Sequence, residues 1–236
     1  AIYLVLNMLL SKKKIPQLQL AIYTFFAFTM TLNMFFTAGR AGQVMFFAAI
    51  VILMFQYFRN SQIKALLTSF FLIAFISLLA YNTSSMFKQR VAGAFDDVIS
   101  YKESRDTAVG RRITFVTNSF ELFSTSPFLG LGTGDFPAEY EKVNLVNSPE
   151  VIRTVQPHNM YMLVLAQLGL MGLASLIWMF YVQIKIALKS NTQLVQNIGI
   201  AMPLLFLVIM WSDSYLLGHY TSNLFVLFSS FIYSKR

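Results

Sequence analysis

Two histidines and a few arginines carry most of the chemistry open to this chain. His158 stands in QPHNMY, with Pro157 before it and a long apolar run after it. Proline suits the first turn of a helix, which predicts that His158 sits near a helix N-terminus. The positive end of the helix dipole disfavours an imidazolium there. A neutral histidine at pH 7 can take a proton, as a general base must; the same residue can also serve as a helix cap or mark a membrane interface. Both readings are open on the residues alone.

Arg40 lies in TAGRAGQ between two apolar runs. Gly39 and Gly42 would let the backbone turn and approach a ligand closely. A helix starting here has free N–H groups that attract phosphate. The reading is an anion clamp, or a loop arginine reaching to lipid head groups. Arg111 and Arg112 follow Gly110 at the start of an amphipathic segment. They read as a second anion contact or as a basic helix edge on head groups. The planar fork of arginine gives two parallel bonds to a phosphate.

Other polar clusters promise less. Asp96-Asp97 and Glu139-x-Glu141 have no histidine or further acid close by, so no metal site is expected. GLGTGDF, 130–136, lacks the G-x-G-x-x-G spacing and follows no strand, which predicts a tight turn. Asp213 and His219 lie near the ends of the last two apolar runs, either lining a shared cavity or sitting among head groups. The absence of cysteine excludes disulfides, thiolate zinc sites and cysteine nucleophiles.

These groups need a scaffold, and composition says which kind. Of 236 residues, 56% are hydrophobic and 12% charged, with 24 Phe and 11 Tyr. A soluble domain carries about 25% charged residues. The mean hydropathy of +0.61 exceeds what a wetted outer shell can hide. A soluble enzyme, a nucleic-acid module and a disordered tail are all excluded on this ground.

Stretches free of Asp, Glu, Lys and Arg run over 15–39, 41–58, 65–87, 154–184, 190–212 and 214–234. Each is of membrane-crossing length. The chain opens inside an apolar stretch, AIYLVLNMLL, with no cationic region before it. That is unlike a signal peptide and reads as the second half of a span, with more chain expected before it. The expectation is an all-α polytopic transmembrane helix bundle forming a single transmembrane domain. Its spans are about 1–11 (partial), 17–38, 41–58, 65–84, 158–182, 193–212 and 214–233. A large loop, about 85–156, contains an amphipathic helix. In that helix Ile113, Val116, Phe120 and Phe123 recur at helical spacing, which predicts a helix lying in the outer interface.

Charge orients the bundle. Lys12, Lys13, Lys14, Arg59, Lys64, Lys185, Lys189, Lys235 and Arg236 share one side with no acid. The other side holds the remaining nine cations and all ten acids. By the positive-inside rule the first side is cytoplasmic. The net charge of +8 then belongs to loops facing anionic lipid. No Asp, Glu, Lys or Arg falls mid-span, where ion-coupled transporters usually keep one. The cations of interest gather at the outer interface, favouring chemistry on a lipid-linked anion.

Three pieces, TAGRAG (37–42), VGRRITFVTNSFELFSTSPFLGLGTGDF (109–136) and PHNMYMLVLAQLGLMGL (157–173), occur in an order that resembles the bacterial O-antigen ligase and polymerase superfamily. Its members show an arginine between two spans and a large periplasmic loop with a Gly-Arg helix and a glycine-rich turn. A His-Asn pair then opens a helix ending in a G-h-x-G step. VGRR offers two arginines for one family position; Arg111, directly after Gly110, matches best.

The resemblance implies a metal-independent membrane glycosyltransferase without a cofactor, in the bacterial inner membrane with its active site facing the periplasm. Its donor is a glycan on undecaprenyl pyrophosphate, and no nucleic acid is involved. Arg40 and Arg111 would bind the pyrophosphate, and His158 would act on the acceptor hydroxyl. Arg112, Asn159, Gly39 and Gly42 would support them. The acceptor implied is lipid A–core, as in an O-antigen ligase of lipopolysaccharide biosynthesis. A polymerase would instead use a second lipid-linked glycan, and a third branch glycosylates protein. A transporter or flippase of lipid-linked sugar is the expectation from another class.

Overall fold

The computed structural model describes residues 1–11, 15–37 and 39–234, with the side chains of Arg40, Lys102 and His219 outside the described set. The described residues form α-helices and connecting turns, without a strand. In order the helices are α1 (Ile2–Leu9), α2 (Gln17–Phe36), α3 (Arg40–Tyr57), α4 (Gln62–Thr83) and α5 (Ser85–Ile99). After a 3-10 turn come α6 (Ala108–Thr125), α7 (Phe136–Asn147), α8 (Met160–Leu188), α9 (Gln193–Ile209) and α10 (His219–Ile232). Of these, α2, α4 and α8 are long and apolar enough to cross a membrane. Large apolar side chains stand exposed along them, among them Phe25, Phe28, Phe70, Phe75 and Trp178. A helix that is apolar all round and bare belongs in hydrocarbon. The fold is an all-α membrane bundle.

The chain gathers into two compact units, 1–92 with 191–205, and 93–190 with 206–236. In the first, Phe35 of α2 meets Phe46 of α3 and Phe87 of α5 edge-on, at 5.7 and 5.4 Å between ring centroids. Ala49, Ile50, Leu53, Ala65 and Ala201 complete that core. The Ser84 hydroxyl donates to the Phe35 carbonyl at 2.7 Å, tying the end of α4 to the end of α2.

In the second unit the 85–156 segment is far from a simple loop. The segment carries all of α5, α6 and α7, where helical spacing singles out one helix. Phe115, Leu122, Phe136, Tyr140, Leu163 and Ala166 form its core. Beside this core runs a buried polar knot. Asn118 donates to Ser148 at 2.9 Å, Ser148 to Asn144 at 3.1 Å, and Asn144 to the Val151 carbonyl at 2.9 Å. Each buried group finds a partner, so the knot ties α6 to α7 without leaving a desolvated orphan. Burial pushes the Tyr140 hydroxyl up to about 12, keeping it protonated beside Asn118.

The face that α6 packs inward adds to the sequence reading, which addressed only the apolar stripe. Thr114, Phe115, Asn118, Ser119 and Leu122 are buried. The stripe of Ile113, Val116, Phe120 and Phe123 is half-buried or exposed. The helix thus spends its mixed face on protein and keeps its apolar face outward.

A second departure lies in α8. Residues 154–184 read as one uninterrupted apolar run, yet Gly169 takes φ 62° and ψ −160° and breaks the helix. The turn 127–132 fills the break. Leu131 and Gly132 donate to the carbonyls of Ala166 and Gln167 at 2.9 and 3.0 Å. Leu170 and Met171 donate to the carbonyls of Pro127 and Phe128 at 2.8 and 3.3 Å. Backbones this close leave no room for side chains. A Cβ on Gly169 would meet the Phe128 carbonyl at 2.4 Å, and one on Gly130 (φ 73°) would meet Gln167 at 2.3 Å. Both positions also need the left-handed backbone region, open to glycine at little cost. Gly169→Ala is expected to destabilise by more than the ~1–3 kcal/mol of backbone strain alone. Thermal unfolding in detergent checks this: a midpoint within a degree of wild type would refute the account.

Candidate functional site

The second unit builds one cluster of chemistry-bearing side chains around the head of α8. Pro157 is fully buried and stands two residues before the N-cap, not in the first turn as the sequence suggested. Asn159 is the N-cap: its side-chain carbonyl accepts from Met162 N–H at 3.1 Å. Its amide donates to the Trp211 carbonyl at 3.3 Å, and Met160 N–H donates to the Met210 carbonyl at 2.9 Å. The start of α8 is thereby pinned to the chain just past α9.

That pinning displays His158. The residue has φ 49°, unusual for a side chain larger than hydrogen and characteristic of a tightly held position. Its ring stacks on Phe115 of α6, 5.8 Å between centroids and 25° between planes. Nδ1 lies 3.1 Å from Oδ1 of Asp213. Asp213 Oδ1 also accepts from Ser214 N–H at 2.7 Å. The hydrogen bond from His158 holds the Asp213 carboxyl below the usual carboxylate range; burial opposes this, and the Ser214 N–H and the Arg112 charge add to it. An ionised carboxylate only accepts, so Nδ1 carries the hydrogen, and Nε2 is the nitrogen that exchanges a proton. With about a third of each side chain exposed, the pair is reachable.

The two arginines at the head of α6 differ. Arg111 lies with Nε 3.2 Å from Asp106 Oδ1, in an ion pair of its own. Arg112 is exposed and makes no ion pair among the described residues. Its charge acts on both Asp213 and Tyr215, whose hydroxyl burial pushes up. The structure therefore gathers His158, Asn159, Asp213 and Arg112, with Arg111 one residue away. Gly39, Arg40 and Gly42 belong to the first unit. Gly39 is the N-cap of α3 with φ −80° and open space beyond its Cα. A Cβ on Gly42 would touch Met34 Sδ at 3.2 Å. The Arg40 and His219 side chains lie outside the described residues.

Three of the four acids that sequence weighed for a metal have protein partners. Asp97 accepts from Val109 N–H at 3.1 Å, Glu139 pairs with Lys142 at 2.6 Å, and Glu141 pairs with Arg153. The segment 130–136 is a turn, with positive φ at Gly130, Gly132 and Gly134.

Comparison with known families bears on this cluster. The family model described as O-antigen ligase matches residues 25–177, more than half of the chain. The chain belongs to the O-antigen ligase family. Membership makes it a glycosyltransferase-like membrane enzyme of the O-antigen ligase and polymerase type, acting on lipid-linked glycans. A search of curated proteins finds no match. The O-antigen ligase match takes in Arg40, Arg111, Arg112, His158, Asn159 and Gly169, and it ends before Asp213. The Asp213 partnership is what sequence reasoning missed. The signal in reach was the position of Asp213 at an apolar run's end, which does not specify a partner 55 residues away.

The lowered carboxyl has a consequence for stability. A depressed folded-state value stabilises the fold above the ordinary carboxyl value of 3.8, and that contribution is lost as pH falls through the lower folded value. The difference in thermal midpoint between wild type and Asp213→Asn is expected to hold steady above pH ~5 and to shrink as pH drops below ~4. A difference constant down to pH 3 would contradict the pairing.

Proposed function

We propose that this chain transfers O-antigen polysaccharide from undecaprenyl pyrophosphate to lipid A–core, as an O-antigen ligase at the periplasmic face of the bacterial inner membrane. The observation that carries this reading is the His158–Asp213 pair, which occupies Nδ1 and leaves Nε2 unengaged by Asp213. The acceptor hydroxyl gives its proton to Nε2 as its oxygen attacks the anomeric carbon. The bond from that carbon to the pyrophosphate breaks, and the leaving group keeps the electron pair. Asp213 steadies the imidazolium that forms, as a buried carboxylate does for a general base.

In this reading Arg40 and Arg111 bind the pyrophosphate and stabilise the charge developing on it, and Arg112 supports them, in the role of electrostatic stabilisers. Asn159, Gly39 and Gly42 are supporting residues in this reading. The donor brings its own activated leaving group, so the proposed reaction draws on neither a nucleotide sugar nor a cofactor, and arginine side chains take the part of a metal ion in neutralising the pyrophosphate.

The test is deletion of the full-length gene, with complementation by wild type, His158→Ala and Asp213→Asn, reading lipopolysaccharide and the lipid-carrier pool. Bare core with long polymer stranded on the carrier is the expected result. Core capped by a single repeat would mean polymerase. His158→Ala is expected to lower turnover by 10²-fold or more, the usual weight of a general base. Asp213→Asn is expected to lower it at least tenfold, with KM little changed. Normal lipopolysaccharide from His158→Ala would overturn the assignment.

A further inference from the structure

The first unit contains a cavity that the transfer reaction does not use. It has a volume of about 860 Å³ and opens where the C-terminal ends of α1 and α3 meet the N-terminal ends of α4 and α9. Arg40 heads α3, whereas Arg59 on the cavity wall follows its last turn. Eighteen helical residues separate the two ends by about 27 Å, close to the thickness of a bilayer core. The cavity therefore lies at the opposite membrane face from Arg40.

Its charge is uncompensated. Arg59 and Lys64 line it, and the sequence of this unit, 1–92 and 191–205, contains no Asp or Glu. No carboxylate of the unit can neutralise them. Arg59 is held by neutral acceptors instead: Nε donates to the Gln56 carbonyl at 3.2 Å and Nη2 to the Asn197 side chain at 2.8 Å. Asn197 is itself gripped, since its backbone carbonyl accepts from Tyr3 and Gln56 at 3.0 Å each and its side chain from Gln193 at 2.7 Å. Side chains from α1, α3 and α9 thus join in orienting one guanidinium, which keeps its full charge. Ser61 caps α4 beside Lys64, and the first free N–H groups of that helix add to an anion's welcome.

Polar Asn7, Ser11 and Asn60 share the wall with an apolar portion. Met8, Leu10, Leu53 and Leu194 line it, next to helices whose outer faces are bare hydrocarbon-facing side chains. A cavity that joins two cations, neutral polar groups and an apolar portion fits an amphiphile with a phosphate head. We propose that it binds one anionic phospholipid from the leaflet opposite Arg40, its phosphodiester on Arg59 and Lys64 and an acyl chain along Leu10 and Leu53. Basic pockets between membrane helices recognise anionic head groups in this way, and the arginine fork suits the two phosphate oxygens.

The experiment uses the full-length protein, purified in mild detergent and offered phosphatidylglycerol, phosphatidylcholine or inorganic phosphate, with bound lipid counted by native mass spectrometry. Phosphatidylglycerol is expected to be retained at least fivefold over phosphatidylcholine and to survive millimolar phosphate. Arg59→Ala and Lys64→Ala should each cut retention at least fivefold, and Arg59→Lys should restore part of it. Lys64 is exposed, so its variant reports on binding even where loss of Arg59 unsettles the fold. Equal retention of both lipids, unchanged retention in Lys64→Ala, or displacement by inorganic phosphate at millimolar concentration would each overturn the proposal. The transferase reading stands or falls separately, because these residues lie away from His158 in the chain and take no part in its chemistry.

Discussion

The break in α8 is the constraint on which the second unit depends. In hydrocarbon a free peptide group costs several kcal/mol, so a helix cannot simply stop at Gly169. The chain resolves this by lending another part of itself. The turn 127–132 supplies two donors and two acceptors, and the interruption becomes a short backbone ladder. The same four bonds anchor α6 and α7 to α8, because that turn connects them. Phe115 on α6 is then in place to stack on His158, at the head of the very helix the turn repairs. Broken helices in transporters leave such groups for ions or substrate. Here they are occupied by the protein's own backbone, which weighs against reading the break as a transport site.

Polar networks carry the rest of the positioning. Asn118, Asn144 and Ser148 lock α6 to α7 with every group satisfied. Asn159 does double work, capping α8 and gripping the Trp211 carbonyl. His158 is consequently held by three independent features: a cap one residue on, a ring beneath, and a carboxylate at Nδ1. Such over-determination allows a left-handed backbone at a residue other than glycine. A side chain so constrained has little rotational freedom left to lose when a substrate arrives.

Much of this was legible in the sequence, and the limits have physical causes. Charge-free runs and segregated cations reveal a helical membrane protein because bilayer solvation acts locally on each residue. The ordered motifs 37–42, 109–136 and 157–173 point to the O-antigen ligase family, and the family match covers them. Pairing was not legible. Nothing local says that Gly130 and Gly132 answer the break at Gly169, or that Asp213 answers His158, since both contacts arise from tertiary closure. Helical periodicity found the apolar stripe of α6, which faces outward, but it did not reveal that the opposite, more polar face packs on protein. In a membrane protein the apolar face belongs to lipid, and the protein core can be the more polar one.

The distribution of acids ties these observations together. All ten lie outside the first unit, so cations there have no carboxylate of that unit to meet. In the second unit acids and arginines mix, and each acid changes what its neighbour can do. Asp106 occupies Arg111, while Arg112 keeps its charge in reach of Asp213. An arginine already paired must give up or share its carboxylate before it can grip a phosphate. One without a partner brings its whole charge to the encounter. Two adjacent residues on one helix, Arg111 and Arg112, are therefore not equivalent as anion contacts. Their difference comes from a carboxylate five residues before Arg111, and the order of the two after Gly110 does not reveal it.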